Sequence, residues 1–162
     1  MRLLDALRYA WKVGLPIADH GERKKDRAWD GRRYDAARID ESNRAIRLLV
    51  HDTNHYRVAS PAQRRLAEYG LGTAVDGDYA SRRVPDDVAH DQEDLTTALD
   101  VLVLAKLGDS AENIIRWWGD GIPGLGTPPK KTARRLWKQL YSSGILAPGE
   151  FAPQVREVLE IL

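Results

Sequence analysis

Apolar residues recur along most of the chain at helical spacing. Leu3, Leu4, Leu7, Tyr9, Ala10, Trp11 and Val13 predict a first helix, which Gly14 and Pro16 stop. Residues 17–32 are polar and read as an exposed connection. From about Arg33 to Tyr56, the set Ala36, Ile39, Ile46, Leu49 and Val50 follows a 3.6-residue period and predicts a longer helix. Ser60, Pro61 and Gln63 form a capping box that opens a short helix, ended by Gly70 or Gly72. Residues 72–91 lack a period and read as a loop, or a hairpin around Asp76-Gly77.

The next helix starts near Asp91 or Asp94 and runs to Gly108. Leu95, Leu99, Val101, Leu102, Val103, Leu104 and Leu107 make it apolar nearly all round, as a central core helix would be. A short helix over 110–118 and further helices over 128–143 and 153–162 follow, the first two separated by the glycine-rich stretch 119–126. The expected architecture is therefore an all-α, single-domain bundle of six or seven helices over residues 1–162. Its C-terminal half loosely echoes a helix-turn-helix. Any subdivision would fall at the polar loop, giving 1–72 and 90–162.

The length of 162 residues fits one domain of ordinary size. With no cysteine, disulfide scaffolds, thiolate zinc sites and cysteine nucleophiles are all excluded. No uninterrupted apolar run is long enough for a membrane span, and the N-terminus does not read as a secretory signal; a cytoplasmic protein is expected.

The net charge of +1 rules out a globally basic DNA coat. It conceals a separation of charge, however. Between residues 76 and 100 there are eight carboxylates against Arg82 and Arg83. Between residues 121 and 149 there are five cations and no carboxylate: Lys130, Lys131, Arg134, Arg135 and Lys138. On a helix these five cover the outer side and the N-terminal turn, where free N–H groups also favour an anion. They are the candidate contacts to nucleic-acid phosphates.

Three aromatic residues are candidate interface anchors. Trp117 and Trp118 adjoin, so one helix face cannot bury both. Trp29 lies in the polar segment Arg27-Ala28-Trp29-Asp30-Gly31, where core packing is hard to argue. The stretch Gly119–Gly126 satisfies G-x-G-x-x-G on paper, but it has no preceding strand and reads as a hinge or packing turn.

The histidines offer a different chemistry. His51 and His55 are four apart on a predicted helix, so both can face one side and share a metal. The string Leu48-Leu49-Val50-His51-Asp52-Thr53-Asn54-His55 resembles the helix-borne His-Asp core of HD-type metal-dependent phosphohydrolases. The resemblance implies an earlier histidine, here His20, and a later aspartate from Asp86, Asp87 or Asp91, as partners of His51 and Asp52.

Taken together, the residues favour a non-enzymatic helical protein of prokaryotic or phage type, binding nucleic acid through the basic C-terminal helix, with no cofactor expected. One alternative is an interaction or assembly module using the tryptophans and the acidic loop, whose charge asymmetry also suits self-association. The other is an HD-like hydrolase, with metal ligands His20, His51, Asp52 and Asp91.

Overall fold

The computed structural model describes residues 1–19, 27–72, 81–110, 113, 114, 135, 138, 139, 141–147 and 149. Apart from Met1, they fall into two compact units, Arg2–Glu93 and Asp94–Leu162. The expected bundle of six or seven helices is not what forms. Among the described residues there are three complete α-helices and a two-stranded parallel sheet. The elements expected over 110–118, 128–143 and 153–162, the helix-turn-helix echo and the Gly119–Gly126 turn lie largely or wholly outside the described residues.

In the N-terminal unit, α1 spans Leu3–Val13, as its periodicity predicts. Gly14 ends it at φ 84°, in the left-handed region that suits glycine. Its N–H donates to the Trp11 carbonyl at 2.9 Å, and the Leu15 N–H donates to the Ala10 carbonyl at 3.0 Å. The polar stretch that follows is not simply a connection. Strand β1 (Ile17–Ala18) pairs in parallel with β2 (Tyr34–Asp35), and Trp29 forms an antiparallel bridge with Tyr34. Two-residue strands are too short to show an alternating pattern, so periodicity cannot reveal them.

The second helix is shorter than its pattern suggests. Asp35 caps a single 3-10 turn over Ala36–Arg38 by accepting from the Ala37 N–H. Helix α2 then runs Asn43–Val58, with Ser42 as N-cap accepting from the Ala45 N–H at 3.1 Å. It packs against α1, and Tyr9 donates across to Asn54 Oδ1 at 2.5 Å.

The capping box at Ser60 forms as expected. The Ser60 N–H donates to Gln63 Oε1 at 2.9 Å, and the Gln63 N–H to Ser60 Oγ at 3.3 Å. What it opens is a pair of 3-10 turns, Gln63–Arg65 and Ala67–Gly70, rather than an α-helix. Glu68 and Tyr69 are left-handed there (φ 46° and 56°), which interrupts the helical path.

Helix α3 runs Asp86–Lys106, starting ahead of the expected Asp91 or Asp94. Pro85 stands just before it, with its carbonyl accepting from the Ala89 N–H at 3.0 Å. The unit boundary falls inside this helix. In its N-terminal part Ala89 and Gln92 are buried while His90 and Asp91 are exposed. Beyond the boundary every residue from Ala98 to Leu104 is buried, as the all-round apolar pattern predicts.

The core of the N-terminal unit includes Ala6, Ala10, Leu15, Trp29, Tyr34, Ile46, Leu49, Val50 and Tyr69. Among the described residues no helix is long and apolar enough to cross a membrane.

Candidate metal centre

The C-terminal half of α2 carries Asp52, Thr53, Asn54 and His55, four consecutive polar residues that are all buried. Burying a polar group is costly unless it is hydrogen-bonded. Thr53 Oγ1 donates back to the Leu49 carbonyl at 2.6 Å, and Asn54 receives Tyr9. Asp52 hydrogen-bonds the Tyr34 side chain. His55 turns to His51 and Glu93.

The His51 and His55 Nε2 atoms lie 3.0 Å apart, with the rings edge to face at 83°. His55 Nε2 is 3.5 Å from Glu93 Oε2 on α3. One ligand atom from each of the three residues lies within 4.8 Å of the others. Two imidazoles and a carboxylate are an ordinary donor set for zinc-class ions. At a tetrahedral ion with bonds of about 2.0–2.1 Å, two imidazole nitrogens stand about 3.4 Å apart. Seating an ion therefore needs the His51–His55 hydrogen bond to break, the pair to open by about 0.4 Å with both Nε2 lone pairs turned to the ion, and Glu93 to draw inward. The Glu93 side chain is 32% exposed, whereas that of His55 is 6% exposed, so the cluster reaches from the core to the surface.

Burial, reinforced by the neighbouring His51, holds the pKa of His55 well below the usual histidine range. The ring is neutral near pH 7, which is the form that ligates a metal.

Behind the cluster lies an aromatic stack. The Tyr69 ring lies against His55 at 5.6 Å and 22°, and against Trp29 at 5.4 Å and 9°. Tyr56 meets Trp29 edge-on at 5.3 Å, and the Arg64 guanidinium covers Tyr56 at 4.3 Å. Tyr69 donates its hydroxyl to the Asp52 carbonyl at 2.9 Å. Burial, then the nearby Asp52 carboxylate, raises the Tyr69 pKa well above the tyrosine norm and keeps the hydroxyl a donor. On the side of α3, Gln63 Nε2 donates to Gln92 Oε1 at 2.6 Å, tying the residue before Glu93 to the segment after α2.

The pairing of His51 with His55 agrees with the spacing on α2. Their third partner is Glu93, which the sequence did not single out as a ligand; an acid at helical spacing on α3 reads equally well as a solvated first turn. Asp52 points instead to Tyr34, because adjacent helical residues diverge by about 100°. Asp91 is exposed and outside the cluster, and His20 lies outside the described residues.

Trp29, expected as a surface anchor, is 1% exposed. Its indole N–H donates to the Arg64 carbonyl at 3.0 Å, and its backbone N–H to Glu68 Oε1 at 3.1 Å. The surrounding charges misled the local reading, because the groups that bury Trp29 lie far along the chain. Trp117, Trp118, Lys130, Lys131 and Arg134 lie outside the described residues, while Arg135 and Lys138 are both exposed. Comparison with protein families, with curated protein sequences and with solved structures finds no match for this chain.

Proposed function

We propose that this chain binds a zinc-class divalent ion through His51, His55 and Glu93 and uses it for hydrolytic chemistry. The observation that carries the reading is the convergence of three ligand atoms from two helices within 4.8 Å. Three protein ligands leave a coordination position for water, as in His2Glu catalytic sites, and the ion supplies Lewis acidity there. The partial exposure of Glu93 gives that position access to solvent. Phosphate esters as the substrate class rest on the sequence resemblance of residues 48–55 alone, since Asp52, turned to Tyr34, and Asp91, outside the cluster, do not take the parts that the HD-type resemblance gives them.

Elemental analysis of protein purified without chelator tests the reading. About one Zn, Mn, Fe, Co or Ni per chain is expected. His51→Ala and Glu93→Gln should each lower that content and any hydrolysis of bis-p-nitrophenyl phosphate. Wild-type protein that stays metal-free after incubation with micromolar zinc sinks the proposal.

A second reading, nucleic-acid binding through residues 129–143, is supported by the exposure of Arg135 and Lys138 in a segment without acids. It predicts retention on DNA or RNA that falls steeply with salt. Retention unaltered by Arg135→Glu/Lys138→Glu would dismiss it.

A further inference from the structure

We propose that Tyr69 is a positioning residue for the metal ligand His55, held in place by a strained turn whose role is to present it. The inference rests on the metal-binding reading above.

Glu68 and Tyr69 are consecutive non-glycine residues in the left-handed region, at φ 46° and 56°. Such a conformation is unfavourable for an L-residue, and a bulky tyrosine adopts it rarely. The strain persists because surrounding bonds enforce it. The Glu68 N–H donates to the Trp29 carbonyl at 3.0 Å, while the Glu68 carboxylate accepts from the Trp29 N–H at 3.1 Å. The Tyr69 N–H donates to the Leu66 carbonyl at 3.2 Å, and its hydroxyl donates to the Asp52 carbonyl. Both ends of the tyrosine are therefore fixed.

This arrangement brings the Tyr69 ring into contact with two others. Tyr69 is nearly parallel to Trp29 (9°) and to His55 (22°), so the three form a continuous stack. Trp29 is 1% exposed and bonded at both of its N–H groups, so it serves as a fixed backstop. The stack constrains the plane of the His55 ring. His51 and Glu93, on the edge of that ring at Nε2, fix which nitrogen faces the cluster. The hydroxyl anchor on Asp52 ties the stack to the helix that carries both histidines. Outer groups of this kind orient metal ligands, and their loss typically weakens metal affinity by about 10–100-fold.

Cobalt(II) is the probe, because its visible absorption bands report ligand geometry as well as occupancy. In Tyr69→Phe the ring remains and only the hydroxyl anchor on Asp52 is lost, so cobalt affinity should fall by no more than about threefold and the bands should keep their shape. In Tyr69→Met the ring is lost, and affinity should fall about 10–100-fold with shifted bands. Leu15→Ala, a core truncation beside α1, controls for stability loss and should leave the cobalt spectrum unchanged. If Tyr69→Met does not fold, Trp29→Phe loosens the same stack from behind. It should weaken cobalt binding at least threefold and move the bands.

Unchanged affinity and spectrum in the ringless variant, or in Trp29→Phe where that substitutes, overturn the positioning role while leaving the metal site standing. An equal loss in Leu15→Ala overturns it as well, by showing that stability alone accounts for the effect. Wild-type protein that takes up no cobalt overturns the metal reading and this inference with it.

Discussion

His55 combines three properties that are hard to hold together: it is ionisable, almost fully buried, and within reach of both another imidazole and a carboxylate. The cost of burying it falls on the protonated form, so its folded pKa lies below the unfolded value near 6.5. The unfolded chain then binds the proton more readily. Its contribution is fully present above pH 6.5 and is lost as pH falls toward the folded pKa. Glu68 has the opposite sign: burial raises its carboxyl pKa, so its contribution declines as pH rises above the usual glutamate value. His55 therefore makes the urea midpoints of the metal-free protein fall as pH is lowered from 7.5 to 5.5, against the opposing contribution of Glu68. In His55→Gln that fall should be shallower than in wild type. Parallel profiles would show that His55 does not titrate against folding.

At the scale of elements, two glycines separate a local requirement from a tertiary one. Gly14 terminates α1 at φ 84°, and a Cβ there would meet nothing within 4 Å. Only the backbone conformation penalises a side chain, so Gly14→Ala should cost about 1 kcal/mol. Gly31 has φ 92°, and its Cβ would lie 2.6 Å from the Arg65 carbonyl oxygen, a backbone atom that cannot swing aside. Gly31→Ala should cost at least about 2 kcal/mol, since strain and displacement of the 63–65 turn add together. Denaturant melts of the two variants compare them directly, and equal losses would contradict the close approach. Gly14 was legible as a helix stop from its place after an apolar period. Nothing around Gly31 announced its contact, because Arg65 is distant in sequence. The same distinction explains α2. Its period was readable, but Asp35 and Ser42, acting as caps, cut its start from about Arg33 to Asn43.

For the whole molecule, a bound ion would act through mass action. A ligand held only by the folded state at a hundredfold excess over its Kd adds about 2.7 kcal/mol of stability. Zinc at that excess should raise the thermal midpoint of wild-type protein by several degrees, and chelator should reverse the rise. Glu93→Gln should respond much less, and identical shifts in the two proteins would remove Glu93 from the site. The net charge of +1 says little at this scale, since it sums an acidic middle and a basic C-terminal stretch. The metal cluster lies wholly within residues 2–93, away in sequence from the basic segment, so the two proposed activities can be tested separately.

Local pattern by itself determined that three helices form, though not where α2 and α3 begin, together with the Gly14 stop, the capping box at Ser60 and the alignment of His51 with His55. Each depends on residues within about one or two turns of one another, where spacing alone sets geometry. Tertiary structure alone decided the β1–β2 pair, the burial of Trp29 in a charged segment, the arrival of Glu93 beside His55, and the left-handed turn that stacks Tyr69 on it. Those depend on groups brought together from distant parts of the chain. Their energy comes from burial and from hydrogen bonds made only once the chain has closed, and no local period encodes them.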